Sequence, residues 1–291
     1  MTLLLWFGLA VCSLALAAFI LWTYGSNHWA SGIRTLTERL EASRTAGRVQ
    51  PVSPARFDSQ ELQKLPAPVQ RYFRAALKEG QPIVSALTIG MVGTFNLSIT
   101  TDHWKPFTSQ QRVVTHLPGF LWDAQVSMAP GLSTRVVDSY IAGEGLLRAA
   151  VLGLFTVAKV QGGGEMARGE FMRFFAEAAW YPTALLPSQG VRWEPIDEHS
   201  ANATIADGPL TLTLLFRFND VGLIDSVRAE ARGAVVGGKV VMMPWECRLS
   251  DYQMRDGMTV PITGEAAWIR PEGRKPYFRG TISSVSYEFA T

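Results

Sequence analysis

The sequence predicts a mainly β (α+β) chain: a curved antiparallel sheet or half-barrel with a central helix, behind one N-terminal transmembrane helix. Three observations lead there. An uncharged apolar run opens the chain, strand-like alternation recurs through the body, and one strongly amphipathic helical stretch interrupts that series.

The opening run, Leu3 to Tyr24, contains no charged residue. As a helix of about 22 residues it reaches ~33 Å, enough to cross a hydrocarbon core. Trp22, Tyr24 and Trp29 stand where an interfacial aromatic belt is expected. A cleaved signal peptide is the rival reading, with Ala15-Leu16-Ala17 as its cleavage site. The apolar run continues through Phe19-Ile20-Leu21-Trp22, however, and no basic segment precedes it. The expected organisation is a transmembrane anchor over 1–25, a juxtamembrane helix and linker over 26–56, and a single β-rich domain over 57–291. Arg34 to Ser43 reads as the short juxtamembrane helix, with Pro51 and Pro54 ending the segment. Arg34, Arg39, Arg44 and Arg48 favour a cytoplasmic body by charge bias. An anchored domain of this kind is nevertheless expected on the extracytoplasmic side of the cell membrane.

The body has the length for one large β domain, roughly 230 residues. Leu65-Pro66-Ala67-Pro68 opens a helix from Val69 to Glu79, whose Val69, Tyr72, Phe73 and Ala76 share one face. Alternation then marks strands at Leu87–Ile99, Phe120–Met128, Thr134–Ile141 and Leu152–Val160. After the central helix, Met166 to Ala179, it marks Val191–Ile196, Ala201–Ile205, Leu210–Phe218, Leu223–Arg232 and Val241–Leu249. Trp268 and the Val285-Tyr287-Phe289 alternation close the series.

Composition excludes several chemistries. A net charge of +2 with no basic stripe argues against nucleic acid. Cys12 and Cys247 are the only cysteines and lie too far apart in sequence and setting to staple the fold. His28, His103, His116 and His199 show no metal-ligand spacing, so neither a metal nor another cofactor is expected. Gly162-x-Gly164-x-x-Ala167 matches a dinucleotide fingerprint only in form, since no βαβ pattern surrounds it.

The central helix carries the candidate site. Ala167, Phe171, Phe174, Phe175 and Ala178 fall on one face, and Met166, Glu170, Arg173, Glu177 and Trp180 on the other. Arg173 is within reach of both Glu170 and Glu177. The plain reading is a solvated face of weak ion pairs. The sharper one has Arg173, Glu177 and Trp180 lining a cavity under the sheet, with Trp122, Asp123 and Trp245 on its strand walls. Asp123, Asp138 and Glu246 are strand acids beside aromatic residues, candidates for raised pKa values in a cleft.

Leu65-Pro66-Ala67-Pro68-Val69-Gln70-Arg71-Tyr72-Phe73, Gly169-Glu170 with Arg173, Ala176-Glu177 and Trp180-Tyr181-Pro182-Thr183-Ala184-Leu185-Leu186-Pro187 resemble an uncharacterised bacterial family of membrane-associated proteins. The resemblance covers most of the body after about Phe57 and implies no activity and no catalytic residues. The order of elements also resembles the half-barrel of periplasmic lipoprotein carriers, in architecture alone.

Three functions follow as expectations. The first is a membrane-anchored binding module, holding an apolar or lipid-like ligand in a hollow closed by the central helix, as in envelope lipid or lipoprotein handling. The second is an enzyme with Glu177 and Arg173 as an acid–base pair opposite a strand acid such as Asp123. The third is an envelope scaffold with an exposed apolar patch or a free sheet edge.

Overall fold

The computed structural model describes residues 2–46, 54–98, 101–236 and 239–291. The expected linker residue Pro51, the flanking Arg48 and the strand residue Ile99 lie outside them. The first helix, α1 (Thr2–Ala46), is one unbroken rod of 45 residues, about 68 Å long at ~1.5 Å per residue. Its first half is apolar and exposed, with a window of mean hydropathy 2.5 and none of that window buried. This is a helix long and apolar enough to cross a membrane.

The second half of α1 is no free juxtamembrane helix. Trp29 and Leu40 are buried against the sheet, with Ile33 and Leu36 beside them. Burial corrects the expectation for Trp29, which packs in protein and not at a membrane interface. Its indole Nε1 donates to Asp123 Oδ1 at 2.8 Å, and the Arg148 guanidinium stacks over its ring. At the far end Glu41, Arg44, Arg112 and Glu288 form a ring of ion pairs at 2.7–3.3 Å. Gly25 touches the turn at Leu152 and Leu154, where any Cβ would collide with the Leu152 carbonyl.

The strands of the first half are β1 (Val84–Asn96), β2 (Trp104–Val114), β3 (Gly119–Ala129), β4 (Leu132–Ile141), β5 (Glu144–Val151) and β6 (Phe155–Gly162). Those of the second are β7 (Arg192–Asp197), β8 (Ser200–Asp207), β9 (Leu210–Phe218), β10 (Ile224–Val236), β11 (Lys239–Ser250), β12 (Gln253–Arg255), β13 (Met258–Val260), β14 (Thr263–Arg270) and β15 (Gly273–Phe289). Thirteen form one curved antiparallel sheet in the order β6-β5-β4-β3-β2-β1-β15-β14-β11-β10-β9-β8-β7. Strands β12 and β13 pair as a separate hairpin.

This order dictates where the central helix goes. The chain meanders outward from β1 to the edge strand β6, then resumes at the opposite edge, β7. The link between edges must cross the concave face, and it consists of α3 (Gly164–Ala176) and three 3-10 turns up to Gln189. The helix α2 (Ala67–Ala76) packs Val69, Tyr72 and Phe73 into the same side.

Strand alternation divides the sheet into two buried faces. Leu87, Ile89, Phe120, Trp122, Tyr140, Phe216 and Trp245 join the Phe171, Phe174 and Phe175 of α3 in the larger, concave core. Ala86, Val114, Leu121 and Val137, the neighbours in sequence of several of these, meet α1 on the convex face.

Leu40 is fully buried in the smaller core. Leu40→Ala should therefore cost about 2–5 kcal/mol, as for other truncations of a buried leucine. Chemical denaturation of the detergent-solubilised full chain measures this, and a loss below about 0.5 kcal/mol, the range of ordinary surface changes, would show that α1 is not integral to the fold.

Candidate functional site

Gly145 lets α3 approach the sheet closely. A Cβ at that position would stand 2.7 Å from the Met166 carbonyl oxygen. Tyr140 then stacks on Phe171, their ring centroids 5.0 Å apart. One helical face is thereby fixed against β4 and β5, and the opposite face carries its polar residues into the sheet.

Arg173 is the centre of that polar face. Its Nε donates to Glu177 Oε1 at 2.7 Å, Nη1 to Asp138 Oδ2 at 2.8 Å and Nη2 to Gln111 Oε1 at 3.2 Å. Gln111 closes the ring by donating its Nε2 to Glu177 Oε2 at 2.6 Å. The guanidinium lies 4.9 Å from the ring centres of both Phe120 and Trp122. Side-chain exposure is 13% for Arg173, 14% for Asp138 and 12% for Glu177, so this is no solvated helix face. Burial by itself would depress the Arg173 pKa, but Glu177 and Asp138 outweigh it and hold the guanidinium charged.

A second charged pair lies alongside. Glu170 faces Arg232 at 3.7 Å, and Arg232 stacks over Trp245 with 4.5 Å to the ring centre. Trp245 Nε1 donates to the Tyr277 hydroxyl at 2.9 Å. Burial, reinforced by the nearby Asp138 carboxylate, pushes the Glu170 pKa up to about 8. Asp138 is raised in the same sense, chiefly by burial, with Arg173 and Arg232 pulling it back. Trp122 Nε1, Asp138 Oδ1, Glu170 Oε2 and Arg232 Nη1 are buried without a hydrogen-bond partner among the described residues.

Five of the six expected site residues face the concave core. Arg173 touches both Glu177 and Trp122, and Trp245 reaches the same cluster through Arg232. Trp180 is buried against β14, where Gly264 leaves room for its ring, and its carbonyl accepts from the Tyr287 hydroxyl at 2.8 Å. Asp123 does not join them. It neighbours Trp122 on a strand, so it points to the convex face and accepts from Trp29. The strand acid that shares Arg173 with Glu177 is therefore Asp138 and not Asp123. Glu246 also turns outward, where Arg274 and Arg248 hold its pKa low against the effect of burial.

The hollow expected beneath the central helix is filled. Helix α3 lies in the cradle itself, and Phe171, Phe174 and Phe175 occupy its depth. Apolar surface remains half-exposed at both ends, with Tyr287 stacked on Phe289 at one and a larger aromatic group at the other. There Phe95 packs edge-on to Tyr277 and Phe278, and Trp268 stacks on Tyr277; Met128 and Val136 complete the rim. Sequence reading did not identify this mouth, nor Gln111, Glu170 and Arg232 as site residues. Glu170 had a signal, its i, i+3, i+7 spacing with Arg173 and Glu177.

The path of α1 orients the mouth. Leu40 lies against Gly119 at the start of β3, Trp29 against Asp123 in its middle, and Gly25 against the β5–β6 turn. Helix α1 therefore leaves the sheet, toward its apolar half, at the end where β1, β3 and β14 finish and β15 begins. The mouth is at that end.

A family described as a family of unknown function (DUF6920) matches residues 63–287, a span that includes the motif residues Leu65 to Pro187. No curated protein matches the chain. Among solved structures, a LolA superfamily protein from Nitrosomonas europaea aligns at 10% identity with a TM-score of 0.40, covering 77% of this chain and 93% of that one. A porin-like protein from Bacteroides uniformis aligns at 8% identity with a TM-score of 0.23, covering 71% and 96%. Both likenesses are distant.

Two outcomes follow from the buried charges. Arg173→Met leaves Asp138 and Glu177 buried without their cation and should destabilise the chain by about 3–5 kcal/mol in denaturant unfolding. A loss below 1 kcal/mol would mean that the network is solvated. Glu170 keeps a proton in the folded chain that the unfolded chain releases near its ordinary value of 4.5. Its contribution is therefore complete below about pH 4.5 and is lost as pH rises toward about 8. Glu170→Gln should flatten the fall of the melting temperature across that window; an unchanged pH profile would contradict the assignment.

Proposed function

The chain belongs to the DUF6920 family, and we propose that this member is a membrane-anchored binding module for an apolar or lipid-like ligand in envelope lipid or lipoprotein handling. The observation that carries the reading is a coincidence of position. The half-exposed aromatic mouth, Phe95, Trp268, Tyr277 and Phe278, lies at the end of the sheet from which the apolar half of α1 departs. A ligand drawn from the bilayer meets these rings first, and aromatic walls with few polar groups suit acyl chains. Behind the rings, Arg232 and Arg173 stand ready to meet an anionic or polar head group, with Arg232 Nη1 and Trp122 Nε1 as unspent donors.

The packed cradle supports entry at the mouth alone, or deeper entry as α3 shifts. An enzymatic reading loses Asp123, which lies on the other face, and its remaining strand acid, Asp138, is held by the Arg173 guanidinium at 2.8 Å. The body is proposed to lie outside the cytoplasm. Arg39 and Arg44, which carry much of the opposing charge signal, are ion-paired with Glu144 and Glu288 on the sheet and with Glu41 on α1 itself. A reporter fused after Thr291 tests that side directly.

Native mass spectrometry of the full chain, extracted from membranes in mild detergent, tests the binding. The expected spectrum shows a co-purified lipid mass. Trp268→Ala removes a half-buried ring worth about 1–2 kcal/mol of apolar contact, so occupancy should fall roughly tenfold. A chain that carries no apolar adduct under gentle activation contradicts the reading.

A further inference from the structure

The two ends of the curved sheet differ in chemistry. At the end away from the apolar half of α1, the turns are polar. Asp197, His199, Arg217, Asn219, Asp220 and Asp225 surround a shallow surface depression of about 310 Å³ there, with Leu117, Ile196 and Val221 as exposed apolar residues of the same end. At the mouth end the β14–β15 turn is charged (Arg270, Glu272, Arg274), whereas the β5–β6 and β10–β11 hairpins carry exposed apolar side chains. Phe155 and Val157 of edge strand β6 are 60% and 63% exposed, and Val240 of the β10–β11 hairpin is 61% exposed. Leu132, Val241 and Met242 add to the same rim. Lys159 and Lys275 are exposed among them.

Solvent-exposed tips normally carry turn polars. Apolar tips interleaved with lysine are the pattern of segments that rest at a bilayer interface. Continuity decides the occupant. Gly25, which ends the apolar stretch of α1, touches Leu152 and Leu154 directly, and the chain then runs from that turn into Phe155 and Val157. A bilayer crossed by residues 2–24 therefore ends where this rim begins.

The geometry points to a second membrane contact, distinct from α1: Phe155 and Val157 at the start of β6 and Val240 to Met242 at the start of β11 are seated in the head-group layer, so that the aromatic mouth opens onto lipid and not onto water. This rests on the proposed reading of α1 as a membrane span and of the mouth as a lipid entrance. A peripheral seat of this kind also limits tilting of the sheet about the single helix, because two hairpins and α1 give three points of attachment.

The test uses the full chain in vesicles of phosphatidylcholine and phosphatidylglycerol, with Cys12→Ala and Cys247→Ala removing the native thiols. V157C, V241C and V221C each carry one environment-sensitive fluorophore. All three positions are exposed, so the labels leave the core intact. The expected result is a blue-shifted emission at 157 and 241, mostly lost when shallow doxyl-labelled lipid is included and insensitive to aqueous iodide. Position 221 should show the reverse. If 157 and 241 respond to iodide as 221 does, the seat is overturned. If they resist both quenchers, a protein or a second copy on the β6 edge covers them, and the seat is again overturned. Native mass spectrometry separates the two claims. Lipid retained without quenching refutes the seat alone, and quenching without bound lipid refutes the ligand reading alone.

Discussion

Arg173 touches every part of the problem that the topology sets. The sheet's two edge strands are joined by one segment, which has no route except across the concave face. A helix forced into that position must bury its polar side as well as its apolar one. Arg173 makes this tolerable by meeting Asp138 on β4, Gln111 on β2 and Glu177 one turn onward, between the rings of Phe120 and Trp122. Each of its five N–H donors points in a fixed direction, so the ion fixes the helix in register as well as depth. The arrangement is costly if broken, because the remaining carboxylates have no water to return to.

The same strands serve a second partner. Side chains one residue apart face α3 or α1 in turn, so the sheet is a shared wall between the long N-terminal helix and a buried one. Phe120 and Trp122 hold Arg173, while Leu121 and Asp123 hold Leu40 and Trp29. A shift of β3 by one residue would exchange these roles and ruin both faces. This sharing is also why α1 and the mouth keep a fixed relation. The second half of the helix that opens on the apolar run is packed along the strands that form the opening.

Much of this was legible in the sequence, and the exceptions have physical causes. Strands β1, β3, β9 and β11 present apolar residues inward and polar ones outward, so alternation located them. Strand β2 did not stand out, because its inward positions include Ser109 and Gln111, both buried. Gln111 is there to serve Arg173, and a functional polar residue erases the pattern that finds strands. Strand β5 is short and offers Gly145 and Leu147 inward, again without a clear pattern. The continuity of α1 was hidden for a related reason. Beyond Trp29 its buried stripe is thin, and most of its charges are there for ion pairs with the sheet. For the site, helical spacing alone joined Arg173 to Glu177 and Glu170. The partners on strands required knowing which parity faces inward, and Asp123 was assigned to the wrong side for that reason. The filled cradle was illegible because composition reports aromatic volume and not where it is spent.

The account depends on α3 being part of the core and not a cover over it. Native-state hydrogen exchange on the full chain in detergent reads this directly. The account predicts that the amides of Phe171, Met172, Phe174 and Phe175 exchange as slowly as those of β1 and β3, through unfolding of the whole domain. Fast exchange of those four amides while the sheet stays protected would show a loose helix, and the account would be wrong at its centre.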